Sequence, residues 1–167
     1  DERMAWSPQV KYLGVVQHES GSLDAELSAR IKAARGAFAM MRPLLAACGG
    51  TTAGHMRRCF GRCFEALVVS VLLYAAEVWA LSSAQLERLE VVLRGFLRMA
   101  LPLRLRRQHE WRFPNAQLLA YFRVPSVATF LARRQLRWLG HLSRLDTSRV
   151  PHMMMSARRV APGVGGR

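Results

Sequence analysis

Apolar residues recur at helical spacing along most of the chain. Leu23, Leu27, Ile31, Phe38, Met41 and Leu45 follow one another three, four or seven residues apart, which is the period of one buried helix face. Ser22 is placed to cap that helix, with Asp24 and Glu26 at its positive end, and Gly49-Gly50 end it after a stretch frayed around Pro43. A second helix is predicted from about Ala53 to Ala80. In its first half Met56, Phe60, Phe64 and Leu67 face inward while Arg57, Arg58 and Arg62 face away; its second half is apolar on every side, the pattern of a central bundle helix. Ser82 and Gln85 form a capping box for a third helix, whose stripe is Leu86, Leu89, Leu93, Phe96 and Leu97 and which Pro102 closes. Asn115 is a cap for a short helix carrying Leu118, Leu119 and Phe122, and Pro125-Ser126 open a last helix to about Leu145. The N-terminus has a different pattern. There Trp6, Val10, Tyr12, Val15 and Val16, with Pro8 and a turn at Glu19-Ser20-Gly21-Ser22, predict a short strand or hairpin.

The expected fold is therefore mostly α: a helical bundle with a short N-terminal β-strand or hairpin and an extended basic C-terminal tail. Four segments follow from the pattern: an extended stretch over 1–21, a helical bundle over 22–101, a basic connector with C-terminal helices over 102–150, and a tail over 151–167.

Charge changes this picture. Lys and Arg number 25 against 11 Asp and Glu, a formal net charge of +14, and only Lys11 and Lys32 are lysines. Arginine presents a planar fork suited to phosphate and stacks on bases, so a polyanionic partner, above all nucleic acid, is expected. GC-rich codon usage is the alternative source of the excess. In the last helix Arg133, Arg134, Arg137, His141 and Arg144 fall within about a quarter to a third of the circumference. Leu131, Trp138, Leu142 and Leu145 are assigned to the opposite, docking side. No carboxylate lies between Arg133 and Arg144, which separates this row from an ordinary solvated face of mixed charge. Arg104, Arg106 and Arg107 of the connector, with Arg112, Trp111 and Phe113 nearby, join the row as one candidate polyanion surface. His141 either contacts phosphate beside Arg137 and Arg144 or packs against Trp111 or another helix.

Other chemistry is poorly supported. Ala66 to Leu81 is interrupted by Glu77, and its uninterrupted part, Ala66 to Ala76, falls well short of the roughly 20 apolar residues of a membrane span. A buried core segment is expected there, with Glu77 paired to an arginine of a neighbouring helix. No secretory pattern follows Asp1-Glu2-Arg3. Three cysteines, Cys48, Cys59 and Cys63, form no disulfide framework, and a reducing intracellular setting, an organellar matrix or the nucleus, is expected. His55, Cys59 and Cys63 share a helix face, with Cys48 or His109 as a fourth zinc ligand. Yet i to i+8 on a helix spans about 12 Å, so small buried thiols are the expectation and no metal is assigned. No arrangement for thiol catalysis and no phosphate-binding glycine loop is present; Gly163, Gly165 and Gly166 follow no strand. Trp79, Trp111 and Trp138 can stack on bases, but at helical spacing core packing is the commoner fate.

Three segments resemble one family. Lys11-Tyr12-Leu13-Gly14-Val15 resembles the Lys-Tyr-Leu-Gly strand of the primer grip in LINE-type (non-LTR) retrotransposon reverse transcriptases. Val71-Leu72-Leu73-Tyr74-Ala75-Ala76-Glu77-Val78-Trp79 resembles that family's Leu-Tyr-Gly-Ala-Glu-x-Trp thumb segment, with Ala75 where Gly is usual. Arg134 to Arg144, reading RQLRWLGHLSR, is similar to its Arg-Leu-Arg-Trp-Leu-Gly-His-x-x-Arg helix. The segments occur in family order between about Lys11 and Pro151. The resemblance implies the thumb and C-terminal connector that follow a catalytic palm. The palm's aromatic-x-Asp-Asp turn has no counterpart: no two aspartates are adjacent, and Asp1-Glu2 is the one contiguous acidic pair. The expectation is a noncatalytic module without cofactor that binds a nucleic-acid backbone, RNA or an RNA-containing duplex, within a larger assembly of protein subunits. A structural subunit of a ribonucleoprotein such as an organellar ribosome, or a protein-only scaffold, are the alternatives.

Overall fold

The computed structural model describes residues 7–47, 54–101, 114–146 and 148–151. It begins with an antiparallel hairpin of β1 (Gln9–Tyr12) and β2 (Val15–His18), in which Gln9 pairs with His18 and Tyr12 with Val15. The connecting Leu13 and Gly14 have φ of 46° and 82°, the positive values that a two-residue hairpin loop following the strand twist requires. The helices are α1 (Asp24–Ala47), α2 (Gly54–Phe64), α3 (Ser70–Leu72), α4 (Ser83–Ala100), α5 (Asn115–Phe122) and α6 (Val127–Leu142). The described part is thus mostly helical with a short N-terminal hairpin, as the pattern predicts.

Several ends fall where local chemistry places them. Ser82 Oγ accepts from Gln85 N and the Gln85 side chain accepts from Ser82 N, completing the capping box of α4. Ser126 caps α6 through Thr129 N. Leu101 turns extended before Pro102, which disfavours helix in the residue preceding it. Ser22 Oγ accepts from Asp24 N, and Gln85 Nε2 donates to Asp24 Oδ1, which with Ser22 holds that carboxyl below its usual pKa and links the start of α1 to α4.

Four local expectations need correction. α1 runs through Pro43 to Ala47, because the bond Pro43 cannot make falls at Ala39, which is exposed so that water can take its place. Pro114, not Asn115, is the N-cap of α5; Asn115 lies inside the first turn, where its Oδ1 accepts from Arg98. α6 ends at Leu142 rather than Leu145.

The fourth correction concerns the long second helix. A π segment, Glu65–Val69, interrupts it, with Ser70 N bonding to Glu65 O five residues back. The inserted residue rotates everything that follows by about one residue's 100°. Leu67, expected to face in beside Phe60 and Phe64, is 48% exposed, while Val68 and Leu72 are fully buried. The helix then stops at Leu72: Ala75 adopts a left-handed conformation (φ 57°, ψ 21°) and a 3-10 turn, Ala76–Val78, follows. The segment is core along one side only, with Tyr74 and Val78 exposed. Among the described residues no helix is long and apolar enough to cross a membrane.

Ala75 stands where the resembled segment carries glycine, and its Cβ is a burden there. A left-handed L-residue costs roughly 1–2 kcal/mol, partly offset by the larger chain entropy glycine loses on folding. Ala75→Gly is expected to stabilise the protein by about 0.5–1 kcal/mol in a denaturant titration. A lower midpoint would show that the helix continues through this point.

The core is a chain of aromatic contacts between helices. Phe38 of α1 stacks on Phe96 of α4 at 4.9 Å, and Phe64 of α2 sits edge-on to both at 6.3 Å. Phe60 meets Phe122 of α5 at 4.8 Å. Gly61 permits that last approach: a Cβ there would lie 2.6 Å from the Phe122 carbonyl oxygen. Cys59 and Cys63, expected as small buried thiols, are exposed because Phe60, Gly61 and Phe64 take the inner face of α2.

Candidate nucleic-acid interface

The three segments that carry the family resemblance meet in space. Tyr74 Oη donates to the carbonyl of Leu13 at the hairpin tip (3.1 Å), and the Arg30 guanidinium lies 4.5 Å over the Tyr74 ring while donating to the carbonyl of Gly14. Arg134 of α6 donates to the carbonyl of Leu73 (3.0 Å) and pairs with Glu77 Oε1 (3.4 Å). The expected partner of Glu77 is thus Arg134. Gln135 Nε2 donates to the carbonyl of Trp79 (3.0 Å), whose indole is buried. The Leu73 carbonyl, which also accepts from Ala76 N, and the Trp79 carbonyl both accept from side chains of α6, and this fixes the helix against the turn.

Two buried glutamates orient the parts, and neither role is local. Glu26, expected as a helix-start residue, is fully buried; it accepts from Val16 N (2.6 Å) and Arg30 Nε (2.5 Å), tying the hairpin to α1. Glu90 of α4 accepts from Ala128 N (3.2 Å) in the first turn of α6, with Arg94 at 4.0 Å. A carboxylate at a helix N-terminus is electrostatically favoured, so Glu90 aims α6. The sequence signal for Glu90 was its place on the apolar stripe between Leu86 and Leu93, where a lone acid needs a partner.

Between α6, the π segment and the 3-10 turn lies an open cleft of about 820 Å³. Arg133, Arg137, His141 and Arg144 line it and are exposed; Arg134 is half-buried at its base. Trp138 corrects the expectation of opposed faces. It is 37% exposed and lines the same cleft, its ring stacked on His141 at 5.3 Å and 27°. The reason is helical spacing: Trp138 lies four residues after Arg134, so the two are neighbours on one face. Val127, Phe130, Leu131 and Leu142 form the buried side, and Leu145 is half-buried. The arginine row and the docking stripe are adjacent sectors of α6, which places the arginines along the seam between helix and bundle.

Charge in the cleft is one-sided. Four arginines line it against two glutamates, Glu65 and Glu77, and Glu77 already pairs with Arg134. Among the described residues Arg133, Arg137 and Arg144 form no ion pair with a carboxylate. Guanidinium groups flanking an aromatic platform suit phosphates with a base or sugar between them. Arg104, Arg106 and Arg107 of the connector, with Arg112 and Trp111, lie outside the described residues. Cys48 and His109, weighed as zinc ligands, lie outside them too.

No protein-family model matches the chain. It is similar to an uncharacterised transposon-derived protein of Caenorhabditis elegans, 25% identical over 95 residues. That stretch covers 57% of this chain and 34% of the worm protein, so the chain spans about a third of that relative's length. No solved structure matches.

Proposed function

We propose that the chain is a noncatalytic module of a retroelement protein, the thumb and connector region of a LINE-type reverse transcriptase, and that it grips a nucleic-acid backbone in the α6 cleft. The observation that carries this reading is the row of Arg133, Arg137 and Arg144 beside the Trp138–His141 stack, unopposed by ion-paired carboxylates among the described residues. Likeness to a transposon-derived protein supports the origin. Contact among the three family-like segments supports their acting as one unit. Its ligand is RNA or an RNA-containing duplex, recognised by shape and charge, since guanidinium–phosphate contacts position a strand without reading its bases.

Each phosphate neutralised releases counterion, so affinity falls steeply with salt. Replacing Arg137 and Arg144 together by Gln is expected to reduce the slope of log K against log salt by about one to two for an RNA duplex. Both side chains are exposed, so stability should stay within about 0.5 kcal/mol of the parent. An unchanged slope in the folded variant would refute the reading.

A further inference from the structure

Two more basic furrows cross the molecule where α2 packs on α5. The smaller, about 280 Å³, lies between Arg57, Arg58, Tyr121 and Arg123. A larger one, about 510 Å³, is bounded by His55, Arg58, Arg62, Arg123 and Glu65. The two share Arg58 and Arg123 as a common wall. The larger furrow also reaches Glu65, and Glu65 is a wall of the α6 cleft. Three furrows therefore adjoin in series.

Their closeness is built by the backbone. Gly61 brings α2 against the Phe122 carbonyl, so Arg58 and Arg62 stand beside Arg123, the left-handed residue (φ 55°) that caps α5. The Arg57 guanidinium is held 4.6 Å over the Tyr121 ring. Among the described residues none of Arg57, Arg58, Arg62 and Arg123 is ion-paired, and Glu65 is the one carboxylate lining either α2–α5 furrow. Four arginines gathered with a single acid create a positive potential that calls for a polyanion.

We infer that the α2–α5 furrows and the α6 cleft form one continuous track for a single nucleic-acid backbone, crossing the π segment at Glu65; this rests on the α6 cleft being a backbone site. Glu65 is then the electrostatic gap in the track, and its charge weakens the bound state.

The test is fluorescence anisotropy of the full chain with an RNA duplex of about 16 base pairs, the length that spans two successive minor grooves. On this probe Arg58→Gln with Arg62→Gln should lower the salt slope by about two, and Arg137→Gln with Arg144→Gln by one to two. Glu65→Gln should tighten binding several-fold, and one duplex should bind per chain. Should the α2 pair melt early, Arg62→Gln alone should lower the slope by about one. If the α2 variants leave the slope unchanged while the α6 pair lowers it, the continuous track is wrong and the α6 cleft stands alone. If the α2 variants lower it and the α6 pair does not, or if neither set does, the backbone reading of the α6 cleft fails and the track with it. Two duplexes bound per chain would replace one track by two separate sites.

Discussion

Leu72→Asp should cost about 4–5 kcal/mol or more, enough to unfold much of the population of a protein at the low end of ordinary stability. Leu72 is fully buried in the aromatic and aliphatic core, in a short helix that packs on α1. Removing a buried leucine forfeits about 2–5 kcal/mol, and a carboxyl in its place is left either charged or neutral without a partner. Its near neighbour gives the contrast. Leu67 is 48% exposed, and Leu67→Asp should cost less than about 1 kcal/mol. In an uninterrupted α-helix Leu67 would continue the Phe60–Phe64 face and be buried, so Leu67→Asp would then cost several kcal/mol as well, roughly as much as a core substitution. Denaturant midpoints of the two variants therefore read the π register directly. A variant at Leu72 that melts like the parent would remove the segment from the core.

Glu26→Ala is expected to cost about 3–5 kcal/mol, because it strands two donors at once. Val16 N–H and the Arg30 guanidinium both aim at this carboxylate, which is fully buried. Arg30 in turn links the Gly14 carbonyl and the Tyr74 ring, so the hairpin's hold on the bundle passes through Glu26. Glu26→Gln keeps one acceptor and should lose less. Hydrogen exchange locates the damage: the Val16 amide should lose its protection in the Ala variant before the amides of α4 lose theirs. If Val16 stays protected, the hairpin is anchored by something other than this glutamate.

Features set within a few residues were legible in the sequence. The Ser82–Gln85 box, the successive members of the stripe from Leu23 to Met41 and the hairpin propensity of Val10 to Val16 each depend on residues close in the chain, and each has the expected structure. What escaped depends on partners distant in the chain. The π segment exchanges a regular helix for the burial of Val68, Val69 and Leu72 against α1, a gain no local pattern shows. Glu26 reads as a helix-start acid until Val16 is brought to it, and the stripe position of Glu90 calls for a partner without naming Ala128. In α6 the arginines were found as a group, yet the placement of Trp138 was not, because a helix lodged in a seam has its buried and charged sectors side by side. Arg134 belongs to both: it lines the cleft and also bonds to Leu73 and Glu77.

The most direct test of the central claim is to map where bound RNA touches the chain. Zero-length ultraviolet crosslinking of the saturated complex, followed by trypsin digestion and peptide mass spectrometry, reads this in one experiment. Cleavage after Arg137 and Arg144 isolates Trp138–Arg144, which carries the Trp138–His141 stack that lines the cleft. A nucleotide adduct is expected on that peptide, and it should be absent when excess salt releases the RNA before irradiation. Bound RNA that crosslinks elsewhere while Trp138–Arg144 stays unmodified would contradict the claim.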